Sequence, residues 1–253
     1  MNFHQDFKKI HVNALEARAS QTNEGALLLD GDWRFKFFES IEELPESLEI
    51  WDIDIGRGTL PVPSVWQCHG FDRHQYTNIR YPFPVNPPYV PKENPCGLYE
   101  KSFRIEKKAD KRYIIGFDGV DSCLYLWLNG AFVGFSEVSH STSEFDISDF
   151  IQNGENTLRV LVLKWCFGSY LEDQDKFRTS GIFRSVYLLE KPKNYVKDLR
   201  IEALCDDDLK AGEIKISLDF EGEASPAKIR FYSPQNKLVF EDSFEKNFSR
   251  RLG

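Results

Sequence analysis

The sequence predicts an all-β protein built from two consecutive β-sandwiches, and three observations predict it. Large apolar side chains such as Trp33, Phe35 and Phe37 alternate with basic ones, which is the period of a half-buried strand. Stretches with the period of a helix are short and few. An Asn-Gly pair also joins two apolar runs, which is typical of an antiparallel hairpin.

The size and the cysteine content of the chain limit the classes of protein to which it can belong. The 253 residues are enough for one or two domains of roughly 150 residues each, with cores large enough to fold without disulfides. The five cysteines are odd in number and widely spaced, and they contain no C-x-x-C pair. We therefore expect reduced thiols and a cytoplasmic protein; the cysteines are Cys68, Cys96, Cys123, Cys166 and Cys205.

Charge and hydropathy exclude two classes of partner. The chain has 32 basic and 40 acidic residues, a net charge of -8, which disfavours binding to a phosphate backbone. Its first residues lack the apolar segment of a signal peptide, and no apolar run reaches the roughly 18 residues of a membrane span. We expect neither a nucleic acid nor a membrane as partner, and favour a neutral small molecule or another protein.

The first sandwich is predicted over residues 25–192, after an N-terminal extension over residues 1–24. Its clearest element is a hairpin in "CLYLWLNGAFVGFS", where Asn129 and Gly130 supply the two positive φ angles of a tight turn. The first arm is apolar on both faces, so we expect a central strand covered on both sides. Further strands are predicted in "RYIIGFDGV", "TLRVLVLKW" and "SVYLLE".

A second domain is predicted over residues 193–253, where large aromatic residues become fewer and surface charge increases. Four strands are predicted there, in "LRIEAL", "EIKISLDFEG", "AKIRFYS" and "KLVFEDSFE". An immunoglobulin-like sandwich closes with about seven strands. We therefore expect an incomplete immunoglobulin-like β-sandwich and a truncated polypeptide.

Residues 66–95 combine aromatic, Pro and Asn residues in a pattern that suits sugar recognition. Aromatic faces pack on the C-H faces of sugars, and amide groups pair with hydroxyls. The alternative, a proline-pinned loop packed against its own sandwich, is equally compatible with the composition. His69 and His74 match no metal-ligand spacing. The aromatic residues are Trp66, Tyr76, Tyr81, Phe83 and Tyr89.

A second candidate segment is "EDQDKFR", in which Glu172, Asp173 and Asp175 precede two basic residues. Carboxylate oxygens of this kind accept hydrogen bonds from sugar hydroxyls or hold a hard cation. The alternative is a solvated loop with internal ion pairs.

These segments resemble the N-terminal sugar-binding domain of glycoside hydrolase family 2, and in particular its large bacterial β-galactosidases. The resemblance covers most of residues 30–190 and includes "DGDWRFKF", "VPSVWQCHGFD", "YTNIRYPFPVNPPYVPKENPCGLY" and "GSYLEDQDKFRTSGIFRSVYLL". It implies a jelly-roll, galactose-binding-like β-sandwich. An immunoglobulin-like domain and then a TIM barrel follow it in the family, and the barrel is absent from these residues.

The resemblance also implies roles for two residues. Asn78, in "YTN", matches an Asn that reaches the galactosyl pocket, and Asp175 matches an Asp that binds a galactosyl hydroxyl and a sodium ion. Magnesium and both catalytic Glu residues belong to the missing barrel, so no residue here is assigned as catalytic. Phe167 and Glu137 replace the Asp and Gln of an N-terminal magnesium site found in some members, and we predict no metal there.

The implied reaction is hydrolysis of terminal non-reducing β-D-galactosides such as lactose, with retention at the anomeric carbon. We expect this chain to be inactive alone. Its partners would be the β-galactoside and the rest of the polypeptide or a second subunit, in a homo-oligomer when complete. Two alternatives stay open: a non-catalytic carbohydrate-binding or assembly module, and another activity of the family, β-glucuronidase or β-mannosidase.

Overall fold

The computed structural model describes residues 1–17, 25–77, 79–172 and 175–252. These residues form β-strands and short 3-10 helices, and they divide into two compact units, Met1–Glu190 and Lys191–Gly253. The prediction of an all-β sandwich protein is confirmed. Among the described residues no helix is long and apolar enough to cross a membrane.

The first unit is built mainly from a seven-stranded and a four-stranded sheet. Its strands are β1 (His11–Val12), β2 (Leu27–Leu28), β3 (Gly31–Phe38), β4 (Thr59–Val62), β5 (Gln75–Tyr76), β6 (Cys96–Ile105), β7 (Lys111–Phe117), β8 (Val120–Asp121), β9 (Cys123–Leu128), β10 (Ala131–Ser136), β11 (Ser143–Asp146), β12 (Gly154–Leu163), β13 (Phe177–Arg178), β14 (Gly181–Ile182) and β15 (Val186–Pro192). The 3-10 helices are Phe3–Gln5, Ile41–Glu43, Trp66–His69 and Phe167–Tyr170.

The order of strands in the large sheet is β1-β10-β9-β12-β6-β3-β4, and in the smaller sheet it is β11-β7-β15-β2. Two two-stranded ladders, β13-β5 and β14-β8, lie outside these sheets. Each contains two residue pairs. They connect loops that are far apart in the sequence, and one of them positions the candidate site.

The hairpin predicted at Asn129 and Gly130 is confirmed. The two residues have φ angles of 52° and 87°, and they join β9 to β10. All six residues of β9 are buried, as expected for a strand covered on both faces. After β11, residues 147–151 form a single helical turn, in which the Ile151 N-H donates to the Ile147 carbonyl over 2.9 Å.

Two hydrophobic clusters explain why β9 is apolar on both faces. Leu124, Leu126 and Leu128 belong to the cluster that includes residues of both sheets, such as Ile115 of β7. Cys123, Tyr125 and Trp127 belong to a second cluster on the other face of the large sheet. That cluster is covered by the N-terminal residues and by residues 41–53, so it contains Met1, Phe3, Ile41, Leu44, Leu48, Ile50, Trp51 and Ile53.

The N-terminal residues 1–17 pack on the sandwich. His11 and Val12 add a short strand beside β10, and the Phe3 ring stacks on Tyr125 with centroids 6.0 Å apart. His4 is 3 % exposed, and its Nδ1 lies 2.9 Å from the Tyr125 hydroxyl. Burial lowers the pKa of His4 to about 4, so this imidazole is neutral at physiological pH.

The second unit contains five strands, one more than the sequence predicted. They are β16 (Tyr195–Cys205), β17 (Gly212–Glu221), β18 (Ala227–Tyr232), β19 (Leu238–Phe244) and β20 (Asn247–Leu252). The order is β16-β17-β20 in one sheet and β18-β19 in the other. The strand that the sequence analysis missed, β20, pairs with β17 along residues 212–217.

Candidate functional site

The candidate site is organised by the short ladder between β5 and β13. Tyr76 pairs with Phe177, and Gln75 pairs with Arg178, in antiparallel register. The Phe177 ring packs against the Tyr76 ring at 6.0 Å and against the His74 ring at 5.5 Å. The ladder therefore joins the Tyr-rich loop that follows Trp66 to the acidic loop that contains Asp175.

Asp175 lies beside Tyr76 at the end of this ladder. The Tyr76 hydroxyl donates a hydrogen bond to Oδ1 of Asp175, and this bond raises the pKa of the tyrosine above its usual value. Both residues are exposed. Within the described parts of the chain Tyr76 is the only hydrogen-bond partner of Asp175, so its second oxygen, Oδ2, faces no donor there.

Other charged groups of the acidic loop bind neighbouring residues of the same unit. Glu172 accepts hydrogen bonds from the Ser139 backbone N-H, at 3.0 Å, and from the Ser139 hydroxyl. Lys176 pairs with Asp121 at 3.1 Å. The alternative of a loop with internal ion pairs therefore fits Glu172 and Lys176, whereas Asp175 differs from them. Asp173 lies outside the described residues.

Arg178 anchors the base of the ladder. It is 7 % exposed, and its Nη1 donates to the Glu172 carbonyl over 2.6 Å. On the neighbouring strand, the Gln75 Oε1 and Thr77 Oγ1 atoms are buried, and no described group donates to either oxygen. Buried polar oxygens of this kind are normally satisfied by water, an ion or a ligand.

The aromatic segment over residues 66–95 combines both of the alternatives left open by its sequence. Trp66 and Phe83 are buried, and Asn94 bonds the backbone of Trp165 through its amide nitrogen and oxygen, at 2.8 and 2.9 Å. These residues are structural. By contrast, Tyr76, Tyr81 and Tyr89 are 52 %, 39 % and 58 % exposed. The segment is thus a packed loop that presents an aromatic outer surface.

The two histidines of this segment have no metal-binding group around them in the described residues. His74 packs on Phe177 and lies 4.0 Å from the Cys68 sulfur. In the described parts of the chain no group of three or more His, Cys, Asp or Glu residues could hold a metal ion. All five cysteines are free.

The structure bears unequally on the two residues that the resemblance singled out. Asn78 lies outside the described residues, so its predicted role stays a prediction. Asp175 presents a carboxylate oxygen without a donor from the described residues, which is the hard type of ligand that a sodium ion takes. Its donor chemistry therefore fits the predicted ion, and the other ligands would come from elsewhere.

The contact between Tyr76 and Asp175 has no signal in the sequence. The two residues are separated by 99 positions, and the strands that join them contain two residues each. Strands this short give no periodic signal. In the sequence, Tyr76 is one of several aromatic residues that could contact a sugar.

A family model describes most of the first unit. Residues 27–192 match the model of the glycosyl hydrolases family 2 sugar binding domain. The β-galactosidase of Actinobacillus pleuropneumoniae is 47 % identical over 255 residues, and that of Staphylococcus xylosus is 41 % identical over 254 residues. Each alignment covers 94 % of this chain and 25 % of the relative, so the chain spans about a quarter of their length.

Solved structures share the fold at lower sequence identity. A β-glucuronidase from an uncultured Clostridium species superposes with a TM-score of 0.68 at 21 % identity, over 93 % of this chain and 41 % of that one. The Lactobacillus rhamnosus β-glucuronidase gives a TM-score of 0.65 at 21 % identity, over 94 % and 39 %.

Proposed function

Because this chain belongs to glycosyl hydrolase family 2, we propose that it is the sugar-binding N-terminal part of an enzyme that removes terminal β-D-galactosyl groups, as from lactose. The observation that carries this proposal is the identity of 41–47 % to two relatives named β-galactosidase, over 94 % of the chain. The likeness to β-glucuronidases, at 21 % identity, supports the fold alone.

The role proposed for the chain is to position the galactosyl group. Asp175 would accept a hydrogen bond from a galactosyl hydroxyl and contribute an oxygen to the sodium ion, and Asn78 would contact the sugar through its amide. The bound ion would supply a fixed positive charge that organises sugar hydroxyls. The exposed tyrosines beside Asp175 provide faces on which a sugar can pack.

The bond-breaking groups are proposed to lie outside these 253 residues. Retaining hydrolysis uses two carboxyl groups about 5 Å apart, one protonating the leaving oxygen and the other forming the glycosyl-enzyme. We propose that both, and the magnesium ion, belong to the rest of the polypeptide or to a second subunit. The 253-residue chain would then be inactive alone.

The charge of the site favours a neutral sugar over a uronic acid. Asp175 is exposed and has no basic partner among the described residues. A galactosyl hydroxyl can donate a hydrogen bond to this carboxylate, whereas an ionised substrate carboxylate has no proton to donate. This difference in hydrogen bonding favours a galactoside over a glucuronide.

Hydrolysis of nitrophenyl glycosides tests the proposal. We expect the full-length enzyme to cleave o-nitrophenyl β-galactoside far faster than the β-glucuronide or the β-mannoside. The 253-residue chain should show no hydrolysis alone and should show activity when mixed with the remaining polypeptide. Activity of the chain alone would contradict the assignment of the two carboxylates to the missing part, and preference for the glucuronide would contradict the substrate.

The exposed tyrosines also favour a second candidate, a carbohydrate-binding module that works without catalysis. Silence of the full-length protein on all three glycosides, together with millimolar or tighter binding of galactosides by the chain, would establish that function. We further propose a cytoplasmic enzyme, because the five free cysteines suit a reducing compartment.

A further inference from the structure

We propose that Tyr76 is a positioning residue that fixes the carboxylate of Asp175, so that Oδ2 is presented to the bound sugar. The inference rests on the proposed function, because it concerns how the same site holds a galactosyl group. In this proposal Tyr76 contributes to sugar binding through Asp175. Its hydroxyl then has a role that differs from stacking of its ring on the sugar.

The hydrogen bond from Tyr76 restricts the orientation of the Asp175 carboxylate. The Tyr76 hydroxyl donates to Oδ1 of Asp175, and a bond to a charged acceptor is stronger than one between neutral groups. An aspartate carboxylate otherwise turns readily about its last torsion, because that torsion is broad. One strong donor on Oδ1 selects a single orientation and directs Oδ2 away from Tyr76.

The scaffold around Tyr76 holds the donor in place. Tyr76 is held by the backbone ladder to Phe177 and by the edge-to-face contact of the two rings, at an interplanar angle of 68°. His74 packs on Phe177 as well. The buried Arg178 fixes the following position through the Glu172 carbonyl. A hydroxyl carried by such a scaffold can hold an exposed carboxylate in place before the sugar arrives.

The bond between Tyr76 and Asp175 contributes little to the stability of the fold. Tyr76 is 52 % exposed and Asp175 is exposed, so neither residue fills a core position. A hydrogen bond between two exposed side chains contributes little to stability because water competes for both groups. Its effect should therefore be seen in sugar binding, not in the unfolding of the chain.

The test compares Tyr76→Phe, Asp175→Ala and the double variant in the full-length enzyme. Binding of isopropyl β-D-thiogalactoside, measured by calorimetry, should weaken about threefold in Tyr76→Phe, the size of an interaction between exposed side chains. KM for o-nitrophenyl β-galactoside should rise by a similar factor, with a smaller change in kcat. Tyr232→Phe, the same change in the second unit, should match the wild type.

The double variant separates positioning from direct contact. If Tyr76 acts through Asp175, Tyr76→Phe has no further effect once Asp175 is Ala. Additive losses would overturn the inference, as would unchanged binding in Tyr76→Phe. A fall in the urea midpoint of Tyr76→Phe would also overturn it, because the hydroxyl would then be structural. Failure of the wild-type enzyme to bind or cleave galactosides would instead contradict the proposed function.

Discussion

Replacing Arg159 with alanine is expected to lower the free energy of unfolding of the first unit by about 4 kcal/mol, the cost of breaking a buried ion pair. Arg159 and Glu100 have side chains that are 10 % and 7 % exposed, with Nη2 of the arginine 2.7 Å from Oε2 of the glutamate. Arg159 also lies over the Trp51 ring, 5.1 Å from its centroid. The substitution removes all of these interactions at once.

The arginine has a second set of partners that explains the size of the effect. Nη1 donates to the Ile50 and Ile53 carbonyls at 2.9 and 3.1 Å, and to the Trp51 carbonyl. One side chain therefore fixes the segment that covers the outer face of the large sheet. In the alanine variant Arg34, whose side chain is 48 % exposed, is the one basic partner of Glu100 left among the described residues.

Urea unfolding followed by tryptophan fluorescence measures this prediction in the 253-residue chain. All five tryptophans lie in the first unit, so the signal does not report the second; they are Trp33, Trp51, Trp66, Trp127 and Trp165. Lys92→Ala is the control, because its pair with Glu42, 3.7 Å apart, is exposed and should contribute less than about 1 kcal/mol. Equal effects of the two substitutions would contradict the prediction.

A paired replacement tests whether the cost comes from an uncompensated charge. When both members of a buried ion pair become apolar, the loss is often small, whereas removal of one member leaves a buried charge. We therefore expect Glu100→Leu together with Arg159→Met to be more stable than Arg159→Ala alone.

Local sequence signals predicted the parts of the fold that depend on neighbouring residues. The turn at Asn129 and Gly130 was predictable because two positive φ angles favour this dipeptide.

Strand β20 was missed for a physical reason. Phe248, Arg250 and Leu252 lie on one face of β20. The Arg250 guanidinium lies 4.3 Å from the Phe240 ring centroid. A charged residue on an apolar face interrupts the alternation that identifies a strand.

The candidate site was predictable only in part, because it depends on register between distant loops. Asp175 was found through its resemblance to a family motif, and the aromatic residues through their clustering. Neither signal shows that Tyr76 and Phe177 are paired. This pairing brings the Tyr76 hydroxyl within hydrogen-bond distance of Asp175. Tertiary pairing of two-residue strands has no local counterpart in the sequence.

Replacing Glu137 with glutamine is expected to stabilise the first unit by about 3 kcal/mol at pH 8 and to have little effect at pH 5. Glu137 is 3 % exposed, and its Oε1 atom is buried with no hydrogen-bond donor among the described residues. Its Oε2 is 3.5 Å from the Gly168 N-H. Burial raises the pKa of Glu137 from 4.5 to about 7, against smaller lowering effects of hydrogen bonds from Cys166 and Gly168.

The direction of the pH dependence follows from which state holds the proton. Between pH 4.5 and about 7 the unfolded chain has lost the Glu137 proton while the folded chain keeps it. Unfolding then releases a proton, so rising pH lowers stability through this window, by about 1.4 kcal/mol for each unit of pKa difference. Above pH 7 the folded protein carries a buried carboxylate, and the penalty no longer grows. Glutamine is neutral at every pH and therefore avoids the penalty of a buried charge.

The comparison is therefore a difference between two urea titrations at each pH from 5 to 8, again followed by tryptophan fluorescence. Other titrating groups are shared by both proteins and cancel in the difference. Glu93→Gln, at an exposed position, should give no pH-dependent gain over the wild type. A Glu137→Gln difference that stays constant with pH would show that the buried carboxyl does not change its charge in this range. A gain that grows from pH 5 to pH 8 would establish that the fold buries an ionisable group at a cost.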